Sequence, residues 1–250
     1  MIRRRFFLLP GLMVLLVLAC KKEYSYEGGL HRKCIGCSYL PLCDSSKFVY
    51  VDSSNTTDTL RGTVVLGTDT TIKGIKYERV SGLAVLGNSL LYNCSNEDYK
   101  TYLSIAALGI NTDSIVQVLL QTIQLPIPIP PGLIQIPSDF KTSFLKAGLP
   151  TGSTWTDTIY SLSLPPFLTL FAGLNYSIAE KGIQRQVFQK NFSNVIHVTA
   201  KLKIVSTIAL PAIPDISIDY FFAKDVGIVE LQIRNNQVLT TSTRLYSYQL

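Results

Sequence analysis

The chain has 250 residues, of which 47% are hydrophobic and only 16% charged, and this composition excludes an intrinsically disordered protein. Its formal net charge is +6, but three of the positive charges are Arg3, Arg4 and Arg5 at the N-terminus. The other Lys and Arg residues are scattered without a long basic run, so the sequence predicts no nucleic-acid partner.

Residues 1–20 have the pattern of an export signal. The arginines are followed by an apolar segment from Phe6 to Ala19, which is shorter than the ~18–20 residues that a helix needs to cross a bilayer. The segment ends in Val17-Leu18-Ala19-Cys20, which resembles the lipobox of bacterial lipoproteins. The resemblance implies cleavage before Cys20 and acylation of that residue, for example with palmitate, and two or more acyl chains give stable membrane attachment. An ordinary secreted protein with a Cys near the cleavage site by chance is the alternative.

The residues after Cys20 bear on its destination. They are Lys21, Lys22 and Glu23, whereas an Asp at the first of these positions retains some lipoproteins at the inner membrane. We therefore expect a lipid anchor in the outer membrane. The body then faces either the periplasm or the outside of the cell.

Four further cysteines predict disulfides. Three lie close together at Cys34, Cys37 and Cys43, and the fourth is Cys94. An even number in an oxidising compartment favours two disulfides, and of the three possible pairings we prefer Cys34–Cys43 with Cys37–Cys94. A zinc site that includes His31 and a redox-active Cys-x-x-Cys pair are the alternatives. No metal or other cofactor is expected.

The body of the chain has the pattern of a mainly β protein. We divide the chain into a signal peptide (1–19), a lipidated segment with the Cys cluster (20–45) and one antiparallel β-domain (46–250), whose parts 46–110 and 150–250 have the pattern of a duplication. Short runs rich in Val, Ile, Thr, Tyr and Phe alternate with turn residues, which favours a curved antiparallel sheet or half-barrel. The predicted strands are Lys47–Asp52, Arg61–Leu66, Thr70–Val80, Leu90–Cys94, Lys100–Ala106, Thr154–Leu164, Leu174–Lys181, Asn194–Ser206, Ile216–Ala223, Val226–Arg234 and Val238–Ser247.

One of these strands has the clearest periodicity. From Asn194 to Ile204 apolar residues alternate with polar ones, which predicts a strand with one buried face. Helices are few. Asn111–Gln124 is a candidate that is equally consistent with a strand, and Ser138–Lys146 is a second, short candidate.

Three apolar stretches, Leu125–Pro137, Leu162–Leu174 and Ile208–Ile216, carry most of the prolines. Proline removes backbone donors, so we predict that these stretches are loops and not central strands. Apolar loops either cover the core or form the rim of an apolar binding site. The candidate rim residues are Phe167, Leu168, Phe171, Ile129 and Leu210.

Residues typical of catalysis are scarce. The chain has two histidines, His31 and His197, and we interpret His197 as a solvated residue on the polar face of its strand. The Gly-x-Ser-x-Gly, His-Glu-x-x-His and Gly-rich phosphate-loop patterns are absent from the sequence. Asp215 and Asp219 are the nearest pair of carboxylates, and a solvated strand end is the favoured interpretation. The sequence therefore predicts no catalytic residues, and a carbohydrate-acting enzyme with distant carboxylates is the less favoured alternative.

Several segments resemble those of uncharacterised β-rich outer-membrane lipoproteins. They are Gly152–Asp157, Lys190–Val198 and Tyr220–Glu230, in which aromatic strands begin and close hairpins. The resemblance covers most of residues 45–250. In architecture such proteins are similar to the Lol-type lipoprotein carriers, which have a curved half-barrel over an apolar cavity. The resemblance implies a non-enzymatic envelope lipoprotein that binds an apolar ligand or an envelope protein. A structural component without a ligand is the alternative.

Overall fold

The structure is a computed structural model that describes residues 33–52, 58–86, 89–104, 139–164, 168–207 and 215–250. Lys33–Leu250 forms one compact unit. The predicted signal peptide, the lipidation site Cys20 and the candidate helix Asn111–Gln124 lie outside the described residues, as do the apolar stretch Leu125–Pro137 and the rim candidates Phe167, Ile129 and Leu210.

The described residues are almost entirely β-strand, and their one helical element is a short 3₁₀ turn at Ala84–Leu86. The strands are β1 Cys34–Ile35, β2 Leu42–Cys43, β3 Lys47–Asp52, β4 Thr59–Thr63, β5 Val65–Ile72, β6 Ile75–Ser81, β7 Ser89–Ser95, β8 Asp98–Ser104, β9 Asp139–Lys146, β10 Thr154–Leu164, β11 Leu168–Val187, β12 Lys190–Ser206, β13 Ile216–Ala223, β14 Gly227–Asn235 and β15 Val238–Gln249.

The strands form two large antiparallel sheets and one small one. The eight-stranded sheet has the order β10-β11-β12-β13-β14-β15-β3-β4, the five-stranded sheet runs from β5 to β9 in chain order, and β1 pairs with β2. The predicted fold class, a mainly β protein with curved antiparallel sheets, is confirmed.

The eight-stranded sheet is strongly curved. Adjacent strands lie about 4.8 Å apart, so β11 and β15 would be separated by about 19 Å in a flat sheet. Nevertheless the ring of Phe188, directly after β11, packs edge to face on Tyr246 of β15 with 5.8 Å between centroids. The tip of the β11–β12 hairpin therefore folds over the strands that follow it.

Aromatic side chains fill the space between the two large sheets. Phe144 of β9 stacks on Phe222 of β13 with 5.9 Å between ring centroids. Tyr50 is fully buried, and its hydroxyl donates a 3.0 Å hydrogen bond to the Ile228 carbonyl. Large buried rings contribute most of the hydrophobic stabilisation of such a core, and their few polar atoms need internal partners.

The two large sheets are also joined where β9 lies beside β10. The Trp155 indole donates a 2.6 Å hydrogen bond to the Ser143 carbonyl. In the opposite direction, the Ser143 amide donates a 2.5 Å bond to the Asp157 carboxylate, which also accepts a 2.9 Å bond from Thr142. These side-chain bonds supply the partners that a continuous backbone ladder would otherwise give.

The clearest predictions of strands are confirmed. β3, β10 and β13 have the predicted bounds. In β12 the alternation is also confirmed, because Ile196, Val198 and Ala200 are buried and Lys201 and Lys203 are exposed.

Two predictions of secondary structure are wrong. Ser138–Lys146 was expected to be helical, but Asp139–Lys146 is strand β9, paired along its length with β8. Thr70–Val80 was expected to be one strand, but it is a hairpin with a turn at Lys73 and Gly74, both of which have positive φ. A two-residue turn of this kind fits the twist of paired strands and leaves little sign in the hydrophobic pattern.

The loop prediction for Leu162–Leu174 is also wrong for most of that stretch. β10 continues to Leu164, and β11 begins at Leu168 and has β10 on one side and β12 on the other. The prolines of this stretch are Pro165 and Pro166, between the two strands. Proline removes only its own backbone donor, so it excludes those two positions from a ladder and not the apolar residues beside them.

The cysteines form the two preferred pairs. Cys34 is bonded to Cys43 across the small β1–β2 sheet, and Cys37 is bonded to Cys94 of β7. Leu40, in the segment between Cys37 and Cys43, is buried in the core, and its carbonyl accepts a 3.3 Å hydrogen bond from the Tyr92 hydroxyl. Paired cysteines offer no thiolate, so this state does not fit the zinc alternative.

The two disulfides should differ in their effect on stability. Their sequence separations are 9 residues for Cys34–Cys43 and 57 for Cys37–Cys94. The chain-entropy relation predicts a loss of about 4 kcal/mol when the long loop is opened by paired Cys→Ser changes, against about 2.5 kcal/mol for the short one. Urea unfolding of the two double variants measures the difference, and thiol titration of the denatured, unreduced mature protein should find no free thiol. An equal loss in both variants would contradict the entropic account.

Candidate functional site

Charged side chains converge on one face of the eight-stranded sheet, opposite the face on which Phe222 meets Phe144 of the other large sheet. We call this group the ionic network. The strand register places His197, Phe221, Glu230 and Arg244 in one row across β12–β15, and Thr199, Asp219, Gln232 and Ser242 in the next. Arg185 of β11 and Arg234 of β14 complete it. Because side chains alternate between the faces of a strand, all the members taken from β12–β15 lie on one face.

Glu230 is the centre of the ionic network, and its side chain is only 1% exposed. Its carboxylate accepts hydrogen bonds from Arg185 at 2.8 Å and from Arg244 at 2.9 Å. Further bonds come from Gln232 at 2.8 Å and from Ser242 at 3.2 Å. Burial by itself raises the pKa of Glu230, but the bonds from Gln232, Arg185 and Arg244 outweigh it, so the pKa lies below its ordinary value.

Asp219 forms the second centre. It accepts hydrogen bonds from Thr199 at 2.7 Å and from Arg234 at 3.2 Å, and it lies 2.9 Å from Nε2 of His197. Burial opposes ionisation here too, but the bonds from His197, Thr199 and Arg234 lower the pKa of Asp219 to about 2. The interpretation of Asp219 as a solvated strand end is therefore wrong, since the residue is buried.

His197 is not a solvated residue either. Its ring stacks on Phe221 with 4.4 Å between centroids, and its Nδ1 lies 3.3 Å from Glu180 while Nε2 faces Asp219. The Arg185 guanidinium lies 4.0 Å from the centroid of the same Phe221 ring. A cation over an aromatic face gains electrostatic energy, so Phe221 connects the two centres of the ionic network.

This arrangement has clear chemical consequences. Each carboxylate is ionised at neutral pH and surrounded by donors, so neither holds a proton that it could give to a substrate. General acid catalysis near neutral pH instead requires a carboxyl group of raised pKa. The geometry is that of a buried, compensated network that fixes four strands and the β11–β12 hairpin relative to one another.

Sequence reasoning missed this network, although a signal for it exists. Polar residues recur at every second position of β14, at Glu230, Gln232 and Arg234, within an otherwise apolar strand. In isolation this pattern indicates a solvated face. This face of β14 is buried because the curvature of the sheet brings Arg185 over Glu230.

The candidate rim residues are only partly within the described part of the chain. Phe171 is half-buried in β11, where it pairs with Ser161 on one side and Val205 on the other. Its ring lies against Gly173, where an added Cβ would come within 2.8 Å of Phe171 Cζ. The backbone of Leu168 begins β11 opposite Leu164.

Phe171 lies towards one end of the sheet, which we call the distal end, where β10, β12 and β14 finish. There the Thr207 amide donates a 3.0 Å bond to the Thr169 carbonyl, and the Asn236 amide donates a 2.9 Å bond to the Asp215 carbonyl. The prolines after β10 and the stretch Ile208–Ile216 after β12 both follow strands that finish at this end.

Within residues 33–52, 58–86, 89–104, 139–164, 168–207 and 215–250, no helix has the length and apolar character to cross a bilayer. The same residues contain no group of three or more His, Cys, Asp or Glu side chains placed to hold a metal ion.

Comparison with known proteins gives two similar structures. One is a predicted exported protein with a YmcC-like fold from Bacteroides fragilis, at 9% identity and a TM-score of 0.39. The other is a predicted lipoprotein from Parabacteroides distasonis, at 10% identity and a TM-score of 0.41. Each alignment covers 86% of this chain and 100% of the other. No family model and no curated protein matches the sequence. The resemblance to Lol-type carriers stays a prediction.

Glu230→Gln should weaken the fold by about 3 kcal/mol at pH 7, because it removes one partner from a buried ion cluster. A carboxylate whose folded pKa is depressed stabilises the protein above its ordinary pKa of 4.5, and this contribution is lost as the pH falls further. The stability difference between wild type and variant should therefore shrink below about pH 4.5. Urea unfolding at pH 7, 5 and 3.5 measures it.

Glu180→Gln is the matched control, since that carboxylate is 55% exposed and its removal should change stability by less than about 0.5 kcal/mol. A Glu230→Gln difference that stays constant from pH 7 to 3.5 would contradict the ionised network.

Proposed function

We propose that the protein is a non-enzymatic lipoprotein of the outer membrane, attached through acylated Cys20, whose β-sheet body binds an apolar ligand or an envelope protein at its distal end. The sequence before the body supports the anchor: a basic segment, an apolar segment and a small residue before Cys20 occur together. Two disulfides in the body are consistent with an oxidising compartment.

One observation carries the binding part of the proposal: the chain enters the body at the end of the sheet opposite the distal end. The first described residue is Lys33, whose carbonyl accepts a 2.8 Å bond from the Asp44 amide. Lys47, three residues after Asp44, begins β3 and pairs with Gln249, the last residue of β15. We call this the anchor end. A lipid at Cys20 would leave the distal end directed away from its attachment point and accessible to a partner.

The interior bears on where a ligand would bind. The rings of Tyr50, Tyr92 and Phe222 are almost completely buried between the sheets. Side chains that fill this space favour binding at the distal end over binding within the core. There Val205 is 50% exposed and pairs with the half-buried Phe171, so apolar side chains reach the surface at this end.

A structural envelope component without a ligand is the second candidate. The filled aromatic core and the ionic network favour it, because both stabilise a rigid body and neither requires a ligand.

Cys20→Ala should abolish lipidation, because the acyl acceptor is removed. Intact mass spectrometry of the envelope fraction should find a mature wild-type chain that begins at Cys20 with added acyl mass, and an unprocessed, unacylated variant. Cys34→Ala is the control and should keep the acyl mass. A wild-type chain without acyl mass would overturn the anchor.

Val205→Asp should reduce binding of an apolar dye such as N-phenyl-1-naphthylamine several-fold. Because Val205 is exposed, the free energy of unfolding of this variant should differ from that of the wild type by less than about 0.5 kcal/mol. Val65→Asp is the matched control: Val65 is 54% exposed on the edge of the other sheet, and its replacement should leave dye binding unchanged. Fluorescence titration and urea unfolding give the two measurements. A wild type that binds no dye and no envelope protein would favour the structural candidate.

A further inference from the structure

Three aromatic rings lie exposed beside a lysine at the anchor end, and we call Phe188, Lys190, Tyr246 and Tyr248 the aromatic patch. The exposed fractions of the three aromatic residues are 42%, 58% and 37% in chain order. Nζ of Lys190 donates a 3.1 Å bond to the Tyr246 carbonyl and lies 5.5 Å from the centroid of the Tyr248 ring. These contacts hold the four residues together as one surface.

The fold itself does not require a large apolar residue at position 188. Phe188 begins the two-residue turn between β11 and β12 and has φ +52°. At the corresponding position of two other hairpins the chain has Asn96 and Asn236, a residue type that tolerates positive φ. Phe188 is therefore unfavourable for the backbone and is also exposed to water. Such a departure from local preference is typical of a functional position.

The aromatic patch is close to the point where the membrane anchor must attach. Asp44, bonded to Lys33, is three residues from Lys47, a span of at most ~11 Å. Lys47 in turn pairs with Gln249, the neighbour of Tyr248. The twelve residues between Cys20 and Lys33 can reach at most ~40 Å, which is ample for the patch to meet the surface in which Cys20 is held.

We propose that the aromatic patch rests on the phospholipid bilayer that holds the anchor, with its rings in the headgroup region and Lys190 directed to lipid phosphates. This inference rests on the lipid anchor of the proposed function. Tyr favours the membrane interface because its ring is apolar and its hydroxyl polar, and Lys extends its charge to anionic headgroups. Lys47, beside the patch, is also exposed. Because the anchor already confines the body near the bilayer, weak contacts suffice for attachment of the patch.

Tryptophan reporters test this in the mature, lipidated full-length protein, incorporated in vesicles of phosphatidylethanolamine and phosphatidylglycerol. Phe188→Trp places a reporter in the patch. Val238→Trp is the matched control, since Val238 is 66% exposed at the opposite end of β15, about 27 Å along the strand from Tyr246. The native Trp155 is buried and gives a constant background. Bromine-labelled phospholipid should quench the added emission of Phe188→Trp at least twofold and leave that of Val238→Trp unchanged.

A further pair of variants separates membrane contact from a structural role. Tyr246→Trp reports on the same patch without changing the turn. Adding Phe188→Asn to it should lower the quenching by lipid while the free energy of unfolding changes little, because the better fit of Asn to the positive φ offsets the lost contact between the rings. A fall in stability with unchanged quenching would overturn the proposed role of Phe188.

The other outcomes are distinct. Absent or equal quenching of the two reporters, in a protein that floats with the vesicles, would overturn the membrane contact and leave the anchor intact. Protection of Phe188→Trp from both brominated lipid and aqueous iodide would indicate that a second copy or another protein covers the patch, which also overturns the proposal. Failure of the wild type to float would overturn the anchor and this inference together.

Discussion

The curvature of the eight-stranded sheet is the constraint on which the other features depend. In a flat sheet, Arg185 of β11 would be three strands, or about 14 Å, from Glu230 of β14. Curvature brings these side chains to 2.6 Å, so that an exposed polar face becomes a buried network. It also places the tip of the β11–β12 hairpin against the end of β15, where Phe188 meets Tyr246. The ionic network and the aromatic patch therefore result from the same bend.

Most of the strand pattern could be predicted because strands such as β12 and β13 alternate between buried residues and more exposed ones. In β12 this environment gives a period of two from Ile196 onwards, and the same alternation is visible in the sequence. The presence of two disulfides could be predicted from the even number of cysteines and from the oxidising compartment that the export signal implies. The position of Cys34 opposite Cys43 in a two-stranded sheet is the geometry that such a pairing needs.

The features that could not be predicted involve contacts between residues far apart in the sequence. Ser138–Lys146 has apolar residues at Phe140, Phe144 and Leu145, a spacing that suits a helix, and only pairing with β8 makes it a strand. His197 has polar neighbours and was interpreted as solvated, but Phe221 covers it from the adjacent strand. Pro165 and Pro166 indicated that the whole stretch Leu162–Leu174 is a loop, but a proline excludes only its own position from a strand. For Ser138–Lys146 and for His197 the deciding partner lies outside any local window of sequence.

The Cys34–Cys43 disulfide has a mechanical consequence for an anchored protein. When the body is pulled away from a membrane, tension enters at Lys33 and reaches Cys34, which is bonded covalently to Cys43. The force therefore passes directly to the start of β3 and bypasses residues 35–42. That loop carries Leu40 and Leu42 into the core, and its cross-link to Cys94 is outside the direct path of the load. Drag on the body would thus strain the tether and the sheet, while the packing of the Cys loop stays unloaded.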